Sequence, residues 1–211
     1  MYYPLASTGI LLAKLALGAY SLIALAIVIE RWLAIRWTVK QENDGYKAVA
    51  TAFRSRVTAV ALDHASRYES PSCIALMSAA ESLNRLPQYA LGAGEQEFIA
   101  QATHMQRGLR TVASIASTAP YVGLFGTVLG ILAAFHTIAS TGQTGASIVA
   151  GGITEALITT AMGLGVAVPS VIAYNWLSGK VNDVTLTAER HARELIAYLL
   201  ADVESKETRR A

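Results

Sequence analysis

Between Arg110 and Lys180 the chain has no basic residue, and its only acidic one is Glu155. Water-exposed folds carry charges throughout, so this stretch is read as lying in a membrane. A carboxylate at membrane depth costs about 2.5–3.5 kcal/mol on insertion-derived scales. A residue kept there at that cost faces a water-filled path, a bundle interior or a partner's charge.

The composition agrees. Hydrophobic residues make up 53% of the 211, and mean hydropathy is +0.39, too apolar for an ordinary soluble domain. The apolar residues form long blocks, with a normally charged stretch from Trp37 to Arg110 between the first and second. Acids and bases interleave at a net charge of +2 with no basic stripe, which excludes nucleic acid as a partner. The lone Cys73 excludes an internal disulfide and a cysteine metal cluster, and fits a reducing compartment. Zinc spacings, phosphate-binding glycine loops and nucleophile elbows are absent, so no enzyme, metal or cofactor is expected.

Three blocks are long enough to cross a ~30 Å hydrocarbon core: Ile10–Ile29, Thr111–Ala139 and Ser147–Leu177. The first is not read as a cleaved signal, because no basic segment precedes it and no small-residue site closes it. Lys14 sits about one turn inside it, where its stem snorkels to the headgroups or its charge serves a function. Of the seventeen Lys and Arg, all but Lys14 fall in Arg31–Arg110 or from Lys180 on. The positive-inside rule then puts the N-terminus outside and the C-terminus inside. The expected divisions are 1–36, an outside N-terminus and first transmembrane helix; 37–110, a cytoplasmic helical region; 111–179, a transmembrane hairpin; and 180–211, a cytoplasmic C-terminal helix.

In the cytoplasmic region, breaks are expected at Ser70-Pro71, at Pro87 and at Leu91–Gly94. Ser70 reads as an N-cap with Pro71 in the first helical position. Glu95 to Arg110 is expected to run without interruption into the second span. After Lys180, Val181, Val184, Leu195, Ile196, Leu199 and Leu200 form a stripe that continues the third span and packs on another helix. His64, His104 and His191 read as surface or packing residues.

The second span reads Pro120-Tyr-Val-Gly123-Leu-Phe-Gly126-Thr127-Val-Leu-Gly130. Gly126 and Gly130 form a GxxxG pair with Gly123 one turn earlier, so a neighbouring backbone can approach closely, and they are expected where helices of the ring pack closest. In the third span Glu155 and Thr159 share a face, with Thr160 on its flank and Pro169 further on. A short connection, Ser140–Ala146, reads as a tight turn between antiparallel helices. If its tip lies between Gln143 and Thr144, Thr127 and Thr160 lie level near mid-membrane. Glu155 is then about 7–8 Å closer to the outside. The level hydroxyls under a carboxylate line a polar track; alternatively, each threonine bonds a carbonyl of its own helix. His136, near the outer end, is read as an interface anchor.

Here the chain resembles the ExbB/TolQ/MotA proton-channel family, most closely its ExbB branch. The likeness rests on Gly-Leu-Phe-Gly-Thr-Val in one helix and Gly-Ile-x-Glu-Ala-Leu-x-x-Thr-Ala in the next. The resemblance implies an all-α membrane protein with three transmembrane helices and long cytoplasmic helical extensions, forming a ring oligomer, five-fold in the family. It implies Thr127, Glu155 and Thr160 as pore-lining residues and Pro120 and Pro169 as helix-shaping ones. It further implies the bacterial inner membrane, an ExbD/TolR-like single-span partner bearing a membrane aspartate, and a TonB-like protein that takes up the work. A TolQ-type role in envelope constriction and a non-conducting membrane scaffold are the alternatives.

Overall fold

A charge-poor chain in lipid must pair every backbone group internally, and long helices do this. The computed structural model describes residues 2–85, 87–141 and 146–208. Its helices are α1 (Tyr2–Arg54), α2 (Thr58–Ser66), α3 (Pro71–Arg85), α4 (Ala90–Met105), α5 (Leu109–Thr141) and α6 (Ala146–Thr208), with a 3-10 turn at Pro87–Tyr89. Three helical stretches, Ser7–Arg54, Ala90–Ser140 and Ala150–Lys206, are long and apolar enough to cross a membrane. The protein is thus an all-α, multi-pass membrane protein. The expected hairpin tip at Gln143 and Thr144 lies outside the described residues.

The chain divides into two compact units. One comprises residues 1–30 and 108–177, the other residues 31–107 and 178–211. In the first, Leu17 of α1 is fully buried with Ala119 of α5 and Ala167 of α6, and Tyr20, Val122 and Val166 pack around them. Large apolar residues such as Phe125 and Phe135 point away from this core, as expected of surfaces that meet lipid or other helices. Pro120 and Pro169 both lie inside helices. Each removes one backbone donor, a loss that transmembrane helices tolerate when neighbouring groups re-satisfy the carbonyl.

The second unit is a helical bundle. Its core joins Val49 and Phe53 of α1, Cys73 and Leu76 of α3, and Leu195, Ile196 and Leu199 of α6. In the apolar stripe expected after Lys180, Val181, Leu195, Ile196 and Leu199 are buried and Val184 and Leu200 half-buried, on a helix continuous with the third span. Ser70 caps α3 as its sequence implies: its Oγ accepts the Cys73 backbone N–H at 3.3 Å, with Pro71 the first helical residue. Cys73 itself is fully buried, and that burial pushes its thiol up.

Two expectations fail in this region. The break foreseen at Leu91–Gly94 does not occur, since α4 runs straight through it. Gly94 is there for close approach instead: an added Cβ would lie 2.6 Å from Ile196 Cδ1 and 3.0 Å from the Ala75 carbonyl oxygen. Nor does a helix run uninterrupted from Glu95 to Arg110. It stops at Met105, and Gly108 adopts φ 82 before α5 begins, a left-handed conformation that glycine takes without steric cost.

Candidate functional site

Small residues set the pairing of α5 with α6. A Cβ added to Gly130 would stand 2.6 Å from Ala156 Cβ, one on Gly152 2.7 Å from Ala134 Cβ, and one on Gly123 3.0 Å from the Thr159 carbonyl oxygen. A Cβ on Gly126 would collide with Thr159 Cγ2, and one on Gly163 would lie 2.7 Å from the Ala119 carbonyl oxygen. So Gly123, Gly126 and Gly130 are filled from within one chain. The close helix approach expected at Gly126 and Gly130 is made within their own hairpin.

The seam fixes an antiparallel register in which Gly126 faces Thr159 and Gly130 faces Ala156. Thr127 and Thr160 are then level to within about one residue, or about 1.5 Å. Their hydroxyls are engaged differently. Thr127 Oγ1 donates to the Leu124 carbonyl of its own helix at 2.6 Å. Thr160 Oγ1 crosses to α5 and donates to the Gly123 carbonyl at 3.1 Å. Thr159, expected on the face of Glu155, is fully buried in the seam and donates to the Glu155 carbonyl at 3.0 Å. Of the two arrangements open for the threonines, own-helix bonding describes Thr127 and not Thr160. Both hydroxyl protons go to carbonyls, which leaves oxygen lone pairs as acceptors.

Glu155 is not alone. Lys14 Nζ of α1 donates to Glu155 Oε1 at 2.6 Å. The Lys14 side chain is 28% exposed and that of Glu155 53%. The reading of Lys14 as a residue that snorkels to headgroups is corrected: its ammonium turns to α6. Depth was the signal that sequence reasoning passed over. Lys14 lies about 8 Å outward of the middle of Ile10–Ile29, the depth assigned to Glu155 from the other end of the molecule. Among the described residues, no group of three or more His, Cys, Asp or Glu is placed to hold a metal ion.

The profile of the MotA/TolQ/ExbB proton channel family matches residues 74–190, which take in the whole seam, both threonines and Glu155. A biopolymer transport protein ExbB from Neisseria gonorrhoeae is 45% identical over 98 residues, 46% of this chain and 44% of that protein. One from Pseudomonas putida is 37% identical over 117 residues, 56% of this chain and 36% of the relative. A Tol-Pal system protein TolQ from Haemophilus influenzae is 52% identical over 73 residues, 35% of this chain and 32% of the relative. The matched stretch thus spans less than half the length of each of these relatives.

Proposed function

The chain belongs to the MotA/TolQ/ExbB proton channel family, and from that premise we propose that it is the ring-forming subunit of a proton-driven motor in a bacterial inner membrane. The N-terminus faces the periplasm and residues 37–110 and 180–211 face the cytoplasm, as the distribution of Lys and Arg supports. Five copies surround single-span helices of the ExbD/TolR type, each with a membrane aspartate, and the stroke passes to a TonB-like protein for import of iron chelates and vitamins. The single observation that carries this reading is the level pair Thr127 and Thr160, in the same matched segment as Glu155.

The chemistry follows from the hydroxyls. Because Thr127 and Thr160 spend their protons on backbone carbonyls, they accept hydrogen bonds. An acceptor pair suits the protonated, neutral form of a partner's carboxyl group, or a water beside it, better than the anion. A proton taken from outside neutralises the partner's aspartate and lets its helix leave one subunit. Loss of the proton to the inside resets it. Each charge that crosses supplies about 2.3 kcal/mol per 100 mV. Pro120 and Pro169 shape the helices, and Gly123, Gly126 and Gly130 keep the hairpin narrow.

Glu155→Ala tests the reading. Energised uptake of iron chelates is expected to fail while the protein inserts and assembles normally; normal uptake would remove Glu155 from the function. The TolQ match supports a second reading, in which the same motor drives envelope constriction. The single-span protein that co-purifies with the chain, and the protein which that partner engages in turn, distinguish the two.

A further inference from the structure

The Lys14–Glu155 pair joins two charges that are otherwise isolated. Lys14 is the only Lys or Arg ahead of Arg31, and Glu155 is the only acid between Arg110 and Lys180. Counted in sequence, Lys14 lies about 8 Å outward of the middle of its apolar block, and Glu155 lies about 7–8 Å outward of Thr160 if the turn centres between Gln143 and Thr144. Lys14 and Glu155 meet at 2.6 Å. An ammonium at this depth has a cheap alternative, since its four-carbon stem reaches the headgroups. It turns inward to Glu155 instead, and Glu155 keeps half its side chain exposed.

We infer that Lys14 is the positioning residue of Glu155. Resting on the proposed proton path, this assigns to α1 the task of aiming the carboxylate. The ammonium holds Oε1, directs the open side of the carboxylate along the hairpin, and cancels its charge, so that the site presents a neutral pair to a passing carboxyl group. The first span thereby becomes part of the proton site and not just an anchor.

The test uses the full chain in cells with its natural partners, at matched membrane levels. The variants are Lys14→Met, Lys14→Arg, Glu155→Gln and the Lys14→Met/Glu155→Gln double. The measurements are membrane insertion, proton-driven work, and the dependence of that work on external pH. Lys14→Met is expected to lower work by at least about tenfold, since removal of one partner leaves the other charge uncompensated. It should also shift the pH dependence of what remains, a change that a mere anchor would not produce. Lys14→Arg should retain most of the work.

Wild-type work and pH dependence in Lys14→Met, with failure in Glu155→Gln, would overturn the inference and leave the proton path standing. Normal work in both would sink the inference and the role of Glu155 together. If Lys14→Met inserts poorly, the double variant decides. Recovered insertion means that the lone Glu155 charge was the fault and supports the pair; persistent failure overturns it.

Discussion

His191 Nδ1 of α6 lies 2.9 Å from Glu42 Oε1 of α1, and the two side chains are only 8% and 2% exposed. The second carboxylate oxygen of Glu42 accepts the Ser72 backbone N–H at 3.2 Å. The imidazole stacks on Tyr46, with ring centroids 3.7 Å apart. A buried polar pair in a bundle contributes less through its own attraction than through the harm done by breaking it. His191→Leu strands the carboxylate and is expected to destabilise the protein by about 3–5 kcal/mol. Adding Glu42→Gln to that variant should recover more than half of the loss. Thermal unfolding in detergent would measure both.

Tyr46 extends the same network, donating its hydroxyl to Glu194 Oε2 at 2.8 Å. Burial, and then the bond to Glu194, raise its pKa above the ordinary 10.0. A raised value favours the protonated form in the fold. That contribution is complete below the unfolded pKa and is lost as pH climbs through the folded one. Stability should therefore fall as pH rises beyond about 10, and Tyr46→Phe should show a smaller alkaline loss than the wild type.

Gly126 and Gly163 press on different atoms, and their substitutions should differ. Gly126 faces the Thr159 side chain, whereas Gly163 faces the Ala119 carbonyl and the Gly123 backbone. Either change to Ala should cost about 1–3 kcal/mol by overpacking. Thr159→Ala should relieve Gly126→Ala and give nothing back to Gly163→Ala. Recovery of folded protein in mild detergent separates the cases.

Thr127→Val and Thr160→Val keep shape and remove the hydroxyl. Each is expected to impair proton-driven uptake, with Thr→Ser tolerated better at both positions. If both hydroxyls serve one carboxyl group, as proposed, the double variant loses less than the sum of the singles. Thr160→Val also gives up the bond to Gly123, so it alone should lower hairpin stability, by about 1 kcal/mol. If both valine variants take up substrate normally, the polar track has no role.

The three spans were legible because an apolar run of about twenty residues with at most one charge carries its own meaning. The Ser70 cap was legible for a similar reason, since its signal is local. What failed turned on residues far away in sequence. Gly94 reads as a break or as a close approach depending on what faces it, and Ala75 and Ile196 decide the matter. Gly108 carries the stop that was expected fourteen residues earlier, at Gly94. Lys14 and Glu155 were each visible, but the pair spans 141 positions. Glu42 and His191 sit on buried stripes of their helices beside Gly45 and Val49, and Ala188 and Leu195. That placement alone hinted that they are not surface residues.

Cys73 has a practical consequence. The chain's one sulfhydryl is shut inside the bundle, and burial holds it in the thiol form, which reacts poorly with electrophiles because the thiolate is the nucleophile. Maleimide reagents will pass over the native chain and mark cysteines introduced elsewhere. The protein therefore comes with a silent background for scanning α5 and α6 one position at a time, with no need to alter its core first.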